Sequence, residues 1–180
     1  MVLYRIPAVG EQQRTQEVVA KIHAQKITLA DVIGNVLPPT PNKEENDATV
    51  EGIDKNNNGI RDDVELAIFA KYPNSAKIRA AELQYAMTEQ MFLTEVFNAE
   101  TWKAVAQQDS RGYACIGETI PRTNITENLK TLDLLIKEVQ DLVFNIQMRK
   151  NAKERAYSFT TSYADLRISA CDIDLNTFSN

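Results

Sequence analysis

The stretch DKNNNGIRDDVE, residues 54–65, places many oxygen-bearing side chains in a short segment. Asp54, Asn56 and Asn58 stand at alternate positions, and Asp62 and Glu65 follow after a glycine at position 59. In a tight loop, side chains at such alternate positions can converge on one point. Carboxylate, amide and carbonyl oxygens gathered in this way are the ligands of a hard metal cation.

Counted from Asp54, the stretch matches the pattern D-x-[DN]-x-[DN]-G-x5-E of a calcium loop. Gly59 allows the sharp turn at the sixth position, because glycine tolerates a positive φ. The seventh position offers only its backbone carbonyl, so an apolar Ile60 is acceptable there, and Glu65 reaches back from the first turn of the exiting helix. The predicted cofactor is therefore Ca²⁺, with the ligands Asp54, Asn56, Asn58, Ile60 (through its carbonyl), Asp62 and Glu65.

This loop resembles the calcium-binding loops of EF-hand, dockerin and thrombospondin type 3 repeat proteins. It is most similar to the D-x-N-x-N-G-I-R-D-D-V-E variant of bacterial exported proteins of unassigned function. The resemblance covers residues 54–65 alone, so it implies a metal site and says nothing about the rest of the fold.

Three departures from an EF-hand pair affect the expected role of the metal. Gly52 lies just before the loop where an EF-hand has a helix, Arg61 occupies the eighth position, and we find a single copy. A lone loop favours a structural clamp over a switch that opens a groove. Because Asn56 and Asn58 replace aspartates, three ligand charges remain, and we expect weak binding in the micromolar to millimolar range.

Helices must position this loop. Glycine and proline number only six each among 180 residues, while Ala, Leu, Glu, Lys and Gln are frequent. Val64 and Ile68 begin a helix directly after the loop, and Ser75 can cap the next one. Six apolar residues spaced three and four apart predict a long helix with a broad buried face: Leu129, Leu132, Ile136, Val139, Val143 and Ile146. The predicted fold class is all-α, an irregular helical bundle with one calcium-binding loop that leads into a helix.

The chain is short enough for one domain overall. Within it we predict an N-terminal helical arm over residues 1–36, a Pro-rich and polar linker over residues 37–53, and the calcium loop with the helical bundle over residues 54–180. A polar first helix is predicted over residues 11–25, and a short second one has Thr28 as N-cap and Gly34 as its end. A further helix is predicted to end near Gly112, and helix is expected to continue through residues 151–169.

The two cysteines, Cys115 and Cys171, lie 56 positions apart, and their spacing is not that of a zinc or redox motif. Two buried thiols remain possible, but a disulfide is slightly favoured, because a weak calcium loop also suits an extracytoplasmic setting. We therefore expect a periplasmic or cell-surface protein whose export signal is not part of these 180 residues. No run of apolar residues is long enough to span a membrane.

Other chemistry finds little support in the sequence. The net charge of −5 predicts no nucleic-acid partner. A lone histidine, His23, makes a His-based zinc site or a Ser-His-Asp triad improbable. Asp172, Asp174 and Asn176 repeat the alternate spacing, but a polar tail explains them better than a second metal loop. The favoured function is binding or assembly by a calcium-stapled protein with an unknown protein or surface partner. A cytosolic calcium-responsive regulator and an enzyme are the alternatives.

Overall fold

The computed structural model describes residues 6–122 and 124–178, with the side chains described from residue 10 onward. Eight α-helices and a short 3₁₀ turn at Leu175–Thr177 make up its secondary structure, and the described residues contain no strand. This confirms the all-α prediction. The helices are α1 (Ile6–Ala24), α2 (Leu29–Ile33), α3 (Lys43–Asp47), α4 (Asp62–Lys71), α5 (Ala76–Thr94), α6 (Ala99–Glu118), α7 (Ile125–Val143) and α8 (Gln147–Tyr157).

Helix α5 is the centre of the bundle. It contacts α2, α4, α6, α7 and α8, and every residue from Arg79 to Phe92 is buried. A helix surrounded on all sides usually carries few polar groups, yet α5 also buries two acids, Glu82 and Glu89. Helix α1 packs against α6, and its Lys21 pairs with Glu95 at the end of α5, so the N-terminal helix belongs to the same bundle.

Local capping signals in the sequence fix several helix ends. Thr28 and Asp31 form a capping box at the start of α2, and Gly34 ends that helix with a φ of 68°. A Cβ at position 34 would lie 2.3 Å from the ring of Phe69, so the glycine also allows α4 to pack closely. Ser75 caps α5 through its hydroxyl, as predicted.

The prediction that a helix ends near Gly112 is wrong, because α6 runs through that residue and carries Cys115 before it ends at Glu118. Gly112 is a packing glycine here and not a helix breaker. A Cβ at this position would lie 3.2 Å from the Cα of Tyr85, so the missing side chain lets α5 and α6 approach closely. The sequence alone does not distinguish these two uses of glycine.

The prediction of continuous helix after α7 is also wrong. The chain breaks at residues 144–146, α8 ends at Tyr157, and the residues from there to the 3₁₀ turn are irregular. Arg61 donates hydrogen bonds to the carbonyls of Leu142 (2.8 Å) and Val143 (3.1 Å), so a side chain satisfies the last carbonyls of α7. The stripe of α7 is buried only in its C-terminal half, where Val139 and Val143 lie.

Residues 37–53, predicted as linker, contain the short helix α3. Its C-terminal turn is held by Arg149 of α8, a fully buried residue that donates to Asp47 Oδ1 (3.1 Å) and to the carbonyls of Asn46 and Val50. Arg149 therefore fixes the segment that precedes the loop on the bundle at several points. Gln90 of α5 adds a further bond, since its Nε2 donates to the carbonyl of Glu51 at 2.8 Å.

A disulfide joins Cys115 of α6 to Cys171, with an S–S distance of 2.07 Å, which confirms the predicted pairing. Beside it, Arg111 forms a buried ion pair with Asp172 at 2.7 Å. Both links fasten the irregular C-terminal segment to α6. Among the described residues, no helix combines the length and the apolar character that crossing a membrane requires.

Candidate metal centre

The loop 54–65 lies between α3 and α4, and its last four residues form the first turn of α4. No helix enters it, since residues 48–61 are irregular. Gly59 has a φ of 85°, and a Cβ there would lie 1.8 Å from Gln25 Nε2 of the segment after α1. The glycine at the sixth position therefore meets two demands, a positive φ and a close neighbour.

Two aspartates close the loop on its own backbone. Asp54 accepts hydrogen bonds from the N–H groups of Gly59 (2.9 Å) and Asn58 (3.3 Å). Asp62 accepts one from the N–H of Lys55 at 3.0 Å through Oδ1, and its own N–H donates to the carbonyl of Ile53. Each carboxylate thus holds its oxygens toward the inside of the turn, and each keeps lone pairs for a further partner.

Glu65 brings the amide residues of the loop together. Its Oε2 accepts from Nδ2 of Asn56 (3.0 Å) and Nδ2 of Asn58 (3.2 Å), while Asn58 Oδ1 accepts from the N–H of Ile60 at 2.9 Å. The amide nitrogens, and not the amide oxygens, face Glu65 in this arrangement. To act as metal ligands, Asn56 and Asn58 must rotate their side-chain amides so that the oxygens face the cation. Glu65 would bind the same cation.

Two acids of the loop are buried without enough hydrogen-bond donors to offset the loss of water around their charges. Asp62 and Glu65 are 0% and 1% exposed, and Asp62 Oδ2 has no hydrogen-bond partner among the described residues. Desolvation raises the pKa of Glu65, against the two amide hydrogen bonds that lower it. Desolvation also raises the pKa of Asp62, and the nearby charge of Asp54 adds to this effect. A buried carboxylate oxygen without a donor is costly unless a cation or a proton satisfies it.

Within residues 6–122 and 124–178, no three His, Cys, Asp or Glu side chains are gathered as a ready-made metal-binding group. The predicted calcium ligands include only three acids, and amide and carbonyl oxygens complete the coordination shell. These hard oxygen donors, together with the unsatisfied Oδ2 of Asp62, fit Ca²⁺ by the chemistry of its ligands. Asp54, Asp62 and Glu65 would supply the charge, and Asn56, Asn58 and the carbonyl of Ile60 the remaining oxygens.

The seventh and eighth positions anchor the loop to the bundle. The Ile60 side chain is fully buried in the hydrophobic core. Arg61 is also fully buried and combines its bonds to the end of α7 with an ion pair to Asp63. The departure from an EF-hand at Arg61 therefore has a structural reason, because this side chain connects the loop to α7.

The other residues that the sequence singled out have structural partners. Asp172 pairs with Arg111 and accepts from the N–H of Ile27, and Asp174 caps the 3₁₀ turn through Asn176, so the two acids serve different local purposes. His23 is half-buried, and its Nε2 lies 3.1 Å from Gln107 Oε1.

Sequence reasoning missed a polar network inside the bundle. Glu89 Oε1 accepts from the hydroxyl of Tyr85 (2.5 Å) and from Nε2 of Gln140 (2.7 Å), and Asp109 Oδ1 is buried nearby without a hydrogen-bond partner in the described part of the chain. Burial, and then the charge of Glu89, raises the pKa of Asp109 to about 7. Tyr85 and Glu89 stand four apart, but nothing in the sequence signals that α6 and α7 bring Asp109 and Gln140 to them.

Comparisons with protein-family models, with curated proteins and with solved structures find no match for this chain. The class of protein is therefore defined by its own features, an all-α bundle with one disulfide and one acidic loop that begins a helix.

Proposed function

We propose that residues 54–65 bind one Ca²⁺ and that the ion staples the fold of an extracytoplasmic protein. The observation that carries this proposal is the pair of buried carboxylates, Asp62 and Glu65, in a loop where Asp62 Oδ2 accepts from no donor in the described part of the chain. Calcium would neutralise charges that burial otherwise makes costly. Its binding free energy would then add to the free energy of unfolding.

A clamp fits the surroundings of the loop better than a switch. Ile60 is part of the core, Arg61 holds the end of α7, and Arg149 holds the segment that leads into the loop. An opening motion would have to break these buried contacts. We therefore expect calcium to tighten the junction of α3, α4 and α7 without exposing a new apolar groove.

The location belongs to the same proposal. A disulfide persists in oxidising compartments, and a loop with three ligand charges would stay filled only where calcium is abundant. Both features favour the periplasm or the cell surface over the cytosol. The molecular role we propose there is binding or assembly with a protein or surface partner.

The test is calorimetric titration with Ca²⁺ combined with thermal unfolding in calcium and in chelator. We expect one site with a Kd between roughly 1 μM and 1 mM. At a concentration of 100 times the Kd, calcium should raise the free energy of unfolding by about 2.7 kcal/mol. Absence of a binding heat together with an unfolding midpoint that ignores chelator would refute the proposal.

Glu65→Gln separates a metal ligand from a structural acceptor. Glutamine keeps an oxygen for the amides of Asn56 and Asn58 but removes a buried charge, so in chelator the variant should be as stable as the wild type or more stable. In calcium it should lose at least about tenfold in affinity and become the less stable of the two proteins. The matched control is Glu154→Gln, because Glu154 is an exposed acid of α8. Equal destabilisation of E65Q in both conditions would assign Glu65 a structural role alone.

A further inference from the structure

An open groove lies between the end of α6 and the first half of α7, and we call it the α6–α7 groove. It has a volume of about 280 Å³, and apolar side chains make up most of its lining: Ile120, Ile125, Leu129 and Leu132. A Cβ added to Gly117, on the α6 wall, would meet no side chain or neighbouring helix of the described residues within 4 Å. The volume is below the range of typical small-molecule sites, so a contact with another macromolecule is the better explanation.

The groove exposes the part of the α7 stripe that extends past the end of α6. Ile125, Leu129 and Leu132 stand four and three residues apart, so they share one face of the helix. Leu132 still packs against the core, but α6 ends at Glu118, and Ile125 and Leu129 are 80% and 54% exposed. Large apolar side chains that are exposed together beside a groove, and not singly, mark a site of protein interaction.

The two ends of the uncovered stripe carry opposite charges. Arg122 lines the groove just before the first turn of α7, and Asp133 flanks the stripe at its other end, directly after Leu132. Both charged side chains are exposed, and neither has an ion-pair or hydrogen-bond partner among the described residues. A surface that is positive at one end and negative at the other is complementary in charge to a reversed copy of itself.

Reversal of a second copy matches the apolar side chains as well as the charges. When two α7 helices pair antiparallel about a two-fold axis near residues 128–129, Ile125 of each copy lies opposite Leu132 of the other, and Leu129 lies beside its own counterpart. Arg122 and Asp133 are nearly equally far from this axis along the chain, so each arginine meets the aspartate of the other copy. An interface in which one patch pairs with itself is the commonest form of homodimer.

We propose that the α6–α7 groove is the interface of a homodimer, in which the first half of α7 packs antiparallel against the same segment of a second copy of this chain. The dimer goes beyond the proposed calcium site and does not rest on it, because the loop 54–65 is bonded to the opposite end of α7 through Arg61. The uncovered apolar area is small for a stable interface. We therefore expect weak association, with a Kd of roughly 10 to 100 μM.

The experiment is sedimentation velocity of the whole chain at protein concentrations from about 5 to about 500 μM, in calcium and in chelator. We expect a reversible shift from monomer to dimer across this range, with a Kd that agrees within about twofold between the two conditions. A failure of calcium binding and a failure of dimer formation are therefore separate results. A monomer at every concentration would overturn the proposal.

Substitutions on the stripe locate the interface. Leu129→Glu places a charge beside the two-fold axis and should raise the Kd at least about tenfold, because the charge would lose its water in the dimer. Ile125→Glu tests the same face at a side chain that the monomer leaves mostly exposed, so the fold should tolerate it. Leu134→Glu is the matched control, since Leu134 is 61% exposed on the opposite face of α7, and it should leave the Kd unchanged. A dimer that persists in both L129E and I125E would show that the groove is not the interface.

Charge reversal tests the direction of the second copy. Arg122→Glu and Asp133→Arg each place like charges at both ends of the interface, so each should weaken association about fivefold. The double variant restores opposite charges and should return the Kd to within about twofold of the wild type. Lys130→Glu, at an exposed lysine outside the stripe, changes the net charge as much as R122E does and serves as its control. Equal weakening by K130E and R122E, or no recovery in the double variant, would contradict the antiparallel pairing of two copies.

Discussion

At the scale of single residues, burial of charge is the feature that distinguishes this bundle. Glu65, Asp62, Glu82 and Glu89 are all almost fully buried. In Asp62, Glu82 and Glu89, one carboxylate oxygen accepts no hydrogen bond from the described residues. Such groups lower stability in the ionised form. They are therefore the positions where the protonation state, a cation or a substitution should have the largest effect on the free energy of unfolding.

Asp109 should make stability depend on pH. Its folded-state pKa is raised from 3.8 to about 7 by burial and by Glu89, so the folded state holds its proton more tightly than the unfolded state does. The stabilisation is complete below the unfolded pKa and is lost as the pH rises through the folded pKa. The stability of Asp109→Asn relative to the wild type should consequently increase by roughly 2 to 3 kcal/mol between pH 5 and pH 8.

Urea unfolding of both proteins between pH 5 and pH 8 measures this difference. Asp165→Asn, at an exposed acid, serves as the control and should follow the wild type throughout. A constant difference between D109N and the wild type across this range would mean that the Asp109 carboxyl does not titrate there in the folded protein.

At the scale of elements, the sequence predicted those helix ends that depend on local capping and missed those that depend on distant residues. Thr28, Asp31 and Gly34 fix the ends of α2 within seven residues of one another, so their signal is visible in the sequence. The end of α7 depends on Arg61, which is more than 80 positions away. The passage of α6 through Gly112 depends on Tyr85 of the neighbouring helix.

The loop 54–65 likewise combines features that depend on nearby residues with features that depend on distant ones. Its oxygen donors follow a local spacing and were predictable from residues 54–65 alone. The anchoring of the loop was not, because Arg61 and Arg149 act on carbonyls of α7 and of residues 46–50.

Arg61→Lys tests the link between the loop and α7. Lysine has one ammonium where arginine has a planar fork, so it cannot serve both carbonyls and Asp63 with the same geometry. We expect a loss of about 2 to 3 kcal/mol in the free energy of unfolding, because buried acceptors lose their donors. Arg155→Lys, at an exposed arginine of α8, is the control and should stay within about 0.5 kcal/mol. A similar small change in R61K would show that the end of α7 does not need this link.

At the scale of the whole molecule, the disulfide and the proposed calcium site lie in different parts of the bundle. The Cys115–Cys171 disulfide fastens the C-terminal segment to α6, and the proposed calcium site would fasten the loop at the junction of α3, α4 and α7. Neither element shares a residue with the other. Their contributions to stability should therefore be nearly independent.

Replacing both cysteines, Cys115→Ala with Cys171→Ala, should lower the free energy of unfolding by roughly 4 kcal/mol, as the chain-entropy treatment gives for a closed loop of this length. The decrease should be the same in calcium and in chelator within about 0.5 kcal/mol, because the two staples constrain separate segments. Urea unfolding of the wild type and the double variant, each in calcium and in chelator, measures the four free energies that this comparison needs. The single variant Arg111→Lys is a useful companion, since it weakens the ion pair to Asp172 beside the disulfide and leaves the covalent link intact. A calcium effect that vanishes when the cysteines are replaced would contradict independence, and it would mean that the disulfide organises the loop through the body of the bundle.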